Sequence, residues 1–202
     1  AQLNRIKLYT AASELEQVLT KYKKAVDLNW VSELLEREID ARKEKALGGR
    51  IKRANFPEIT NLETFDWSFN SQLDEEKIKE LATLNFIQTN QICLFLGQPG
   101  TGKTHLALAI GVLAAKNGYR VYCTSIKKLS QNLLQARQKN NLDVFFKKVL
   151  SAKLWILDDW GVMNMSRDIS EEIFDLLDRR KHSSAMILTS NRDIEEWPQV
   201  FP

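Results

Sequence analysis

Cysteine and histidine are scarce in this chain of 202 residues, which contains two of each. With so few cysteines a disulfide framework is excluded, and no cluster of these residues has the spacing of metal ligands. Cys93 and Cys123 each fall inside a predicted strand, so we interpret them as buried core residues of a reduced, cytoplasmic protein. His105 and His182 belong to no set of a nucleophile, a histidine and a carboxylate, which excludes that type of catalytic site.

Long apolar runs are missing as well. No stretch approaches the ~18 apolar residues of a membrane-spanning helix, and the first residues do not have the layout of a secretory signal. The composition, with 44% hydrophobic and 27% charged residues, is typical of a soluble globular protein, and the length allows one core domain with an appendage. We therefore expect a cytoplasmic protein without a membrane partner.

Three regions of the chain differ in their pattern. Residues 1–53 carry no strand signal, and their apolar residues recur at spacings of three and four, which predicts an N-terminal helical domain. Its first helix follows Leu15, Val18, Leu19, Tyr22 and Val26, and its second runs from Trp30 to Leu47, where Gly48 and Gly49 end it. Residues 54–90 are predicted to be a connector with one helix, capped by Asp74.

The core, residues 91–202, alternates between apolar strands and helices. Strands are predicted at 91–96, 120–124, 153–158 and 185–190, and helices at 102–117, 126–138, 141–150 and 169–182. Because these strands are apolar throughout, both faces of their sheet must be covered. The pattern therefore predicts an α/β fold in which helices cover both faces of a parallel sheet.

A phosphate-binding motif lies at the start of this core. Residues 97–104 fit the pattern G-x-x-x-x-G-K-S/T, between an apolar strand and an apolar helix. Backbone N–H groups of such a loop bind phosphates, Lys103 would contact the β- and γ-phosphates, and Thr104 would hold Mg²⁺. The predicted nucleotide-binding residues are Gly97, Gln98, Pro99, Gly100, Thr101, Gly102, Lys103, Thr104 and His105.

Polar residues at the ends of two later strands complete a candidate catalytic site. Asp158 is expected to hold Mg²⁺ and Asp159 to polarise the attacking water. Asn191 is expected to contact the γ-phosphate or the water, because its amide both donates and accepts. The alternative is that these residues only form turns after their strands. Our catalytic candidates are Asp159, Lys103 and Asn191.

Two stretches, residues 41–53 and 116–148, concentrate positive charge. Such stretches bind nucleic-acid phosphates with little regard to sequence, although the alternative is a solvated helix face. Aromatic residues are few in both, so the backbone of double-stranded DNA is a better ligand than stacked single-strand bases. The candidate DNA contacts are Arg42, Lys43, Lys45, Arg50, Lys52, Arg53, Lys127, Lys128, Arg137 and Lys139.

Together these motifs resemble the AAA+ ATPases of the IstB/DnaC group. The resemblance rests on GQPGTGKTH at Gly97–His105, ILDDWG at Ile156–Gly161, and LTSN at Leu188–Asn191 followed by Trp197. The upstream stretch Glu36–Asp66 is similar to the IstB branch rather than to the helicase loaders.

The resemblance implies a three-layer α/β/α AAA+ fold with ATP and Mg²⁺ as cofactors. It also implies ATP-dependent assembly of the protein with itself on double-stranded DNA and delivery of target DNA to a transposase. The alternative is a replicative helicase loader of the DnaC/DnaI type. A small-molecule kinase is disfavoured, since the chain has no arginine-rich lid segment. By the same resemblance, Phe65, Asp66 and Trp67 are expected near the adenine, and the preference for ATP over GTP rests on the family alone.

The chain departs from the group's pattern in two places. Asp159 stands where many relatives have glutamate, and its shorter side chain predicts slow hydrolysis. The resemblance further implies a sensor region, an arginine finger and a C-terminal strand to which no residue here corresponds. We therefore expect the chain to be a fragment, its apolar strand at 92–96 to form an open sheet edge, and its hydrolysis to depend on a neighbouring subunit.

Overall fold

Residues 2–21, 29–70, 73–163 and 165–199 are described by the structure, a computed structural model. The chain divides into two units, residues 1–49 and 50–202. The first unit contains α1 (Gln2–Arg5), α2 (Tyr9–Lys21) and most of α3 (Asn29–Ala54). Tyr22 and Val26, which were assigned to the first predicted helix, lie outside the described residues.

The first unit is held together by polar contacts around two buried isoleucines. Ile6 and Ile39 are buried, and the Arg42 guanidinium donates a hydrogen bond of 2.9 Å to the carbonyl of Ile6. The apolar face of α2 is largely open, since Leu15 and Val18 are 42% and 45% exposed. In the described part of the chain, each helix is too short or too polar to span a bilayer.

The prediction that Gly48 and Gly49 end a helix is wrong, because α3 continues through both to Ala54. Glycine lowers helix propensity by about 1 kcal/mol relative to alanine. Packing of the following turn outweighs this cost. Ala54 is fully buried, and the Arg50 guanidinium donates a hydrogen bond of 2.8 Å to the carbonyl of Ala115.

The segment between α3 and the sheet holds more structure than the one helix predicted. Short 3-10 turns at Leu62–Thr64 and Trp67–Phe69 precede α4 (Glu75–Ala82) and α5 (Asn85–Gln88). Asp74 caps α4 as predicted, since its carboxylate accepts a hydrogen bond of 3.1 Å from the Lys77 N–H. Because α5 has four residues, it shows too little periodicity to be recognised in the sequence.

Four parallel strands form the sheet: β1 (Ile92–Leu96), β2 (Val121–Ser125), β3 (Leu154–Asp158) and β4 (Ala185–Ser190). Their order is β1-β4-β3-β2, which confirms the predicted parallel α/β arrangement. The helices between them are α6 (Lys103–Lys116), α7 (Ile126–Gln138), α8 (Leu142–Leu150) and α9 (Arg167–Arg180). Among the described residues β1 pairs with β4 alone, so its apolar side chains border an open edge.

Alternate residues of β2, β3 and β4 enter two separate cores. Trp155 and Leu157 of β3 pack with α7, α8 and α9 on one face, whereas Leu154 and Ile156 pack with α6 on the other. This three-layer packing explains why β2, β3 and β4 are apolar throughout. It also brings the carboxyl ends of the strands level, with Leu96 opposite Ser190 and Ser125 opposite Asp158. The expectation that both faces are covered is wrong for β1, where Ile92, Leu94 and Leu96 are exposed.

One glycine of α6 is required by this packing. A Cβ at Gly111 would lie 2.4 Å from Cδ1 of Ile156 and 2.8 Å from the Phe56 ring, whereas a Cβ at Gly48 of α3 would meet nothing within 4 Å. We expect Gly111→Ala to lower the free energy of unfolding by about 1–3 kcal/mol through overpacking. The same change at Gly48 is expected to raise it by about 0.5–1 kcal/mol. Urea unfolding followed by circular dichroism would measure the two changes in free energy of unfolding. Changes of the same sign in the two variants would contradict the packing argument.

Candidate nucleotide-binding site

The loop between β1 and α6 has the geometry of a phosphate cradle. Gly102, at the N-cap of α6, has a φ of +89°, a left-handed value that glycine adopts without strain. A Cβ there would lie 3.3 Å from the Phe65 ring, so the ring packs directly against this backbone. The free N–H groups and the dipole at the N-terminus of α6 favour an anion at this position.

The Lys103 ammonium lies across the mouth of this loop. Its Nζ donates hydrogen bonds of 2.7 Å to the carbonyls of Gly97 and Gln98, and one of 3.2 Å to the Thr101 hydroxyl. Burial lowers the pKa of Lys103, while the nearby Asp158 and Asp159 carboxylates act in the opposite direction. The cation is thus held beside the loop's backbone, where phosphate oxygens would bind.

Asp158, at the carboxyl end of β3, accepts hydrogen bonds from two hydroxyl groups. The Thr104 hydroxyl donates to its Oδ1 at 2.8 Å, and the Thr189 hydroxyl donates to the same oxygen at 2.6 Å. Mg²⁺ takes hard oxygen ligands, usually one or two from the protein, with phosphates and water completing its shell. The adjacent oxygens of Thr104 and Asp158 fit that requirement.

Asp159 occupies a strained backbone position beside Asp158. Its φ is +59°, and its N–H donates a hydrogen bond of 3.1 Å to the Thr189 hydroxyl. Burial and then the charge of Asp158 raise the pKa of the Asp159 carboxyl, while Lys103 lowers it. A carboxylate with a raised pKa is better suited to accept a proton from water.

A cavity of about 520 Å³ lies between Lys103, Thr104 and Asp159. It is lined by Thr64, Phe65, Asp66, Phe69, residues 99–105, Asp159 and Asn191. The structure therefore brings Asn191 and Asp159 to the phosphate loop, as the sequence indicated. Gly97 and Gln98 do not line this cavity; they border a groove beside β1 and contribute the carbonyls that Lys103 contacts.

Aromatic rings line the cavity beside the phosphate loop. The Phe65 ring lies 5.0 Å from the Trp67 ring and 5.4 Å from the His105 ring, measured between centroids. Phe69 is 62% exposed beside them. Such a wall offers an apolar surface on which a planar base can stack.

Thr189 and Ser190, which belong to the LTSN motif at the end of β4, make contacts that the sequence did not indicate. Besides its bonds to Asp158 and Asp159, Thr189 accepts the Trp160 N–H at its carbonyl, at 2.8 Å. The Ser190 hydroxyl donates to the Trp160 carbonyl at 2.7 Å. The available signal was two adjacent hydroxyl residues closing an otherwise apolar buried strand. These bonds fix the turn that carries Asp159.

The structure divides the ten candidate DNA contacts into three groups: ion-paired side chains, exposed side chains and side chains that line cavities. Arg42 pairs with Glu38, Lys43 with Asp40, and Arg137 with both Asp168 and Glu172. Lys45 and Lys127 are exposed. The remaining five line two adjoining cavities away from the phosphate loop: Arg50, Lys52, Arg53, Lys128 and Lys139.

Comparison with known proteins gives a consistent picture. The family model described as IstB-like ATP binding protein matches residues 1–202. A protein of insertion sequence IS21 from Pseudomonas aeruginosa, whose name describes it as ATP-binding, is 34% identical over 202 residues. That match covers 98% of this chain and 76% of the relative.

Solved structures share the α/β fold of this chain. The structure of DnaA from Aquifex aeolicus with bound AMPPCP is 29% identical, with a TM-score of 0.62, over 70% of this chain and 44% of that one. The DnaC helicase loader is 26% identical, with a TM-score of 0.54, over 63% of this chain and 79% of the loader. These likenesses confirm an α/β fold of the AAA+ P-loop type.

Proposed function

The chain belongs to the family of IstB-like ATP binding proteins, and we propose that it is an ATP-hydrolysing AAA+ ATPase that assembles on double-stranded DNA and delivers target DNA to a transposase. The observation that carries the nucleotide part is the convergence of Lys103, Thr104 and Asp159 on one cavity, with Asp158 hydrogen-bonded to the Thr104 hydroxyl behind it. The transposition part is supported by the insertion-sequence relative, and DNA binding by the basic side chains described above.

ATP binding would begin with an exchange of hydrogen bonds. Lys103 would transfer its donors from the carbonyls of Gly97 and Gln98 to phosphate oxygens, while N–H groups at the start of α6 bind the same phosphates. Thr104 and Asp158 would hold Mg²⁺, which when bound neutralises charge on the β- and γ-phosphates. The aromatic wall at Phe65 would stack on the adenine.

Hydrolysis would then use Asp159 and Asn191. Asp159 would accept a proton from the attacking water, and Asn191 would orient that water or the γ-phosphate through its amide. The short Asp159 side chain places its carboxylate closer to the backbone than a glutamate would, so turnover should be slow. We propose that an arginine from a neighbouring protomer completes the site.

A helicase loader is the second candidate, and the likeness to the DnaC structure favours it. The two functions differ in their protein partner. Tagged protein would be incubated with a cognate transposase and with a replicative helicase, each purified. Capture of the helicase alone would overturn the transposition proposal.

Sedimentation with duplex DNA tests the main proposal. The protein is expected to co-sediment with duplex DNA in the presence of a non-hydrolysable ATP analogue and much less without nucleotide. Lack of co-sedimentation in both conditions would overturn DNA-dependent assembly. Nucleotide binding is then measured separately with a fluorescent ATP analogue, so the two parts of the proposal can fail independently.

Thr189 provides a test of the positioning of the two aspartates. Thr189→Val keeps the shape but leaves the Asp159 N–H without its hydroxyl partner and Asp158 with the Thr104 hydroxyl alone. We expect ATP hydrolysis to fall roughly tenfold, with a smaller change in nucleotide affinity, since a lost hydrogen bond to a charged group costs about 1.5–3 kcal/mol. Thr189→Ser restores the hydroxyl and should restore most of the rate. Equal turnover in Thr189→Val and the unchanged protein would exclude this positioning role.

A further inference from the structure

The two basic stretches of the sequence meet at the β2 edge of the sheet. One cavity of about 680 Å³ is lined by Lys52, Arg53, Lys128, Lys139 and Lys148. An adjoining cavity of about 430 Å³ is lined by Arg50, Arg53, Arg120 and Lys148. Arg53, Tyr122 and Lys148 line both, so the two form one elongated feature, which we call the basic cleft.

The charge of the basic cleft is unbalanced. Its lining contains seven lysine and arginine side chains and, among the residues that the structure describes, no aspartate or glutamate. Over the same described ranges, none of the seven lies within ion-pair distance of an acidic side chain. By contrast Arg137, on the same helix as Lys128, is neutralised by Asp168 and Glu172. Cations gathered without acidic partners favour a polyanionic ligand.

Neutral donors in the basic cleft indicate the chemistry of that ligand. Asn55, Asn132, Gln135 and Asn141 line it between the cations, and such side chains donate to phosphate oxygens. Tyr122, which is 8% exposed, also lines the cleft. Phe145, which also lines the cleft, packs against Phe146. The cleft therefore offers donors for phosphates but few faces for stacking bases, which favours a duplex over a single strand.

We propose that the basic cleft binds the phosphate backbone of double-stranded DNA, independently of sequence, at a site separate from the nucleotide cavity. This proposal rests on the proposed DNA-binding function and assigns it to particular residues. It adds Arg120 and Lys148 to the sequence candidates, and it leaves Lys127 outside although its neighbour Lys128 lines the cleft.

Neighbouring lysines on two helices allow a matched test. Lys128 of α7 and Lys148 of α8 line the cleft, whereas Lys127 and Lys147, one residue before each, do not. Lys128→Glu/Lys148→Glu and Lys127→Glu/Lys147→Glu change the net charge equally on the same two helices. The affinity of each double variant for a labelled duplex would be measured by fluorescence anisotropy across a salt series. A fluorescent ATP analogue checks that each variant keeps its nucleotide site.

The cleft variant, Lys128→Glu/Lys148→Glu, is expected to lose at least ~10-fold in affinity for DNA. Its slope of log affinity against log salt concentration should become shallower by about two, because each phosphate contact contributes roughly 0.9 to that slope. The control variant should change affinity by no more than ~2-fold, since salt screens distant charges. Two duplexes of unrelated sequence should give the same result.

Equal losses of affinity in both variants, or no loss in either, would overturn the proposal that the basic cleft binds DNA, while leaving DNA binding itself intact. Absence of DNA binding by the unchanged protein would overturn the proposed function and the cleft together.

Discussion

Lys103→Ala is expected to weaken ATP binding by at least ~100-fold and to abolish ATP-dependent assembly on DNA. The ammonium is the cation nearest the loop's carbonyls, with two hydrogen bonds of 2.7 Å that would pass to phosphate oxygens. Charge-assisted hydrogen bonds contribute about 1.5–3 kcal/mol each, so loss of two corresponds to a change of this size. Titration with a fluorescent ATP analogue would measure the affinity directly.

The control for this variant is Lys116→Ala. Lys116 is at the other end of α6, where its ammonium donates a hydrogen bond of 3.1 Å to Asn61. It carries the same charge on the same helix, but it does not line the nucleotide cavity. Its replacement should leave ATP affinity unchanged. If both variants bound ATP alike, Lys103 would have no role in phosphate binding.

Asp159→Asn is expected to preserve ATP binding and to reduce hydrolysis by at least ~100-fold, the lower range for loss of a general base. Asparagine tolerates the left-handed backbone at this position, so the turn should keep its conformation. Without hydrolysis the ATP-bound assembly on DNA should persist, which sedimentation over time would detect. Normal ATP turnover in this variant would exclude Asp159 as the general base of the reaction.

The same substitution has an expected effect on stability. Burial and the neighbouring Asp158 raise the pKa of Asp159, so the folded protein binds this proton more tightly than the unfolded chain does. Ionisation of Asp159 therefore destabilises the fold fully above its folded pKa; this cost declines as the pH falls below that value and is gone below the unfolded pKa. Asp159→Asn removes the cost. Its free energy of unfolding should exceed that of the unchanged protein at neutral pH, and the difference should narrow towards acidic pH.

The sheet and the nucleotide motif could be predicted because they depend on local patterns. Apolar strands of five or six residues, each followed by a helix, imply a parallel sheet, and the carboxyl ends of its strands meet at one edge. Asp158 and Asn191 were placed near the phosphate loop by that reasoning. The alternation of apolar strands with helices thus predicts both the fold and the position of the site.

The features that were missed depend on contacts between distant parts of the chain. The α3 helix crosses two glycines because Arg50 and Ala54 pack against residues from the core. Thr189 acts through a carboxylate 31 positions earlier, a relation without any periodicity in the sequence. The basic cleft joins Arg53 to Lys148, and charge counts along the chain could not show which lysine of each neighbouring pair turns towards it.

The register of the sheet has a thermodynamic consequence. Ser125, the last residue of β2, lies opposite Asp158 and caps α7 by accepting a hydrogen bond of 3.3 Å from the Lys128 N–H. Ser125 is thus adjacent both to Asp158 at the nucleotide site and to Lys128 of the basic cleft. If binding at one site shifts this pair, the two affinities are linked, and linkage is reciprocal. DNA would then tighten ATP binding by the same factor by which ATP tightens DNA binding.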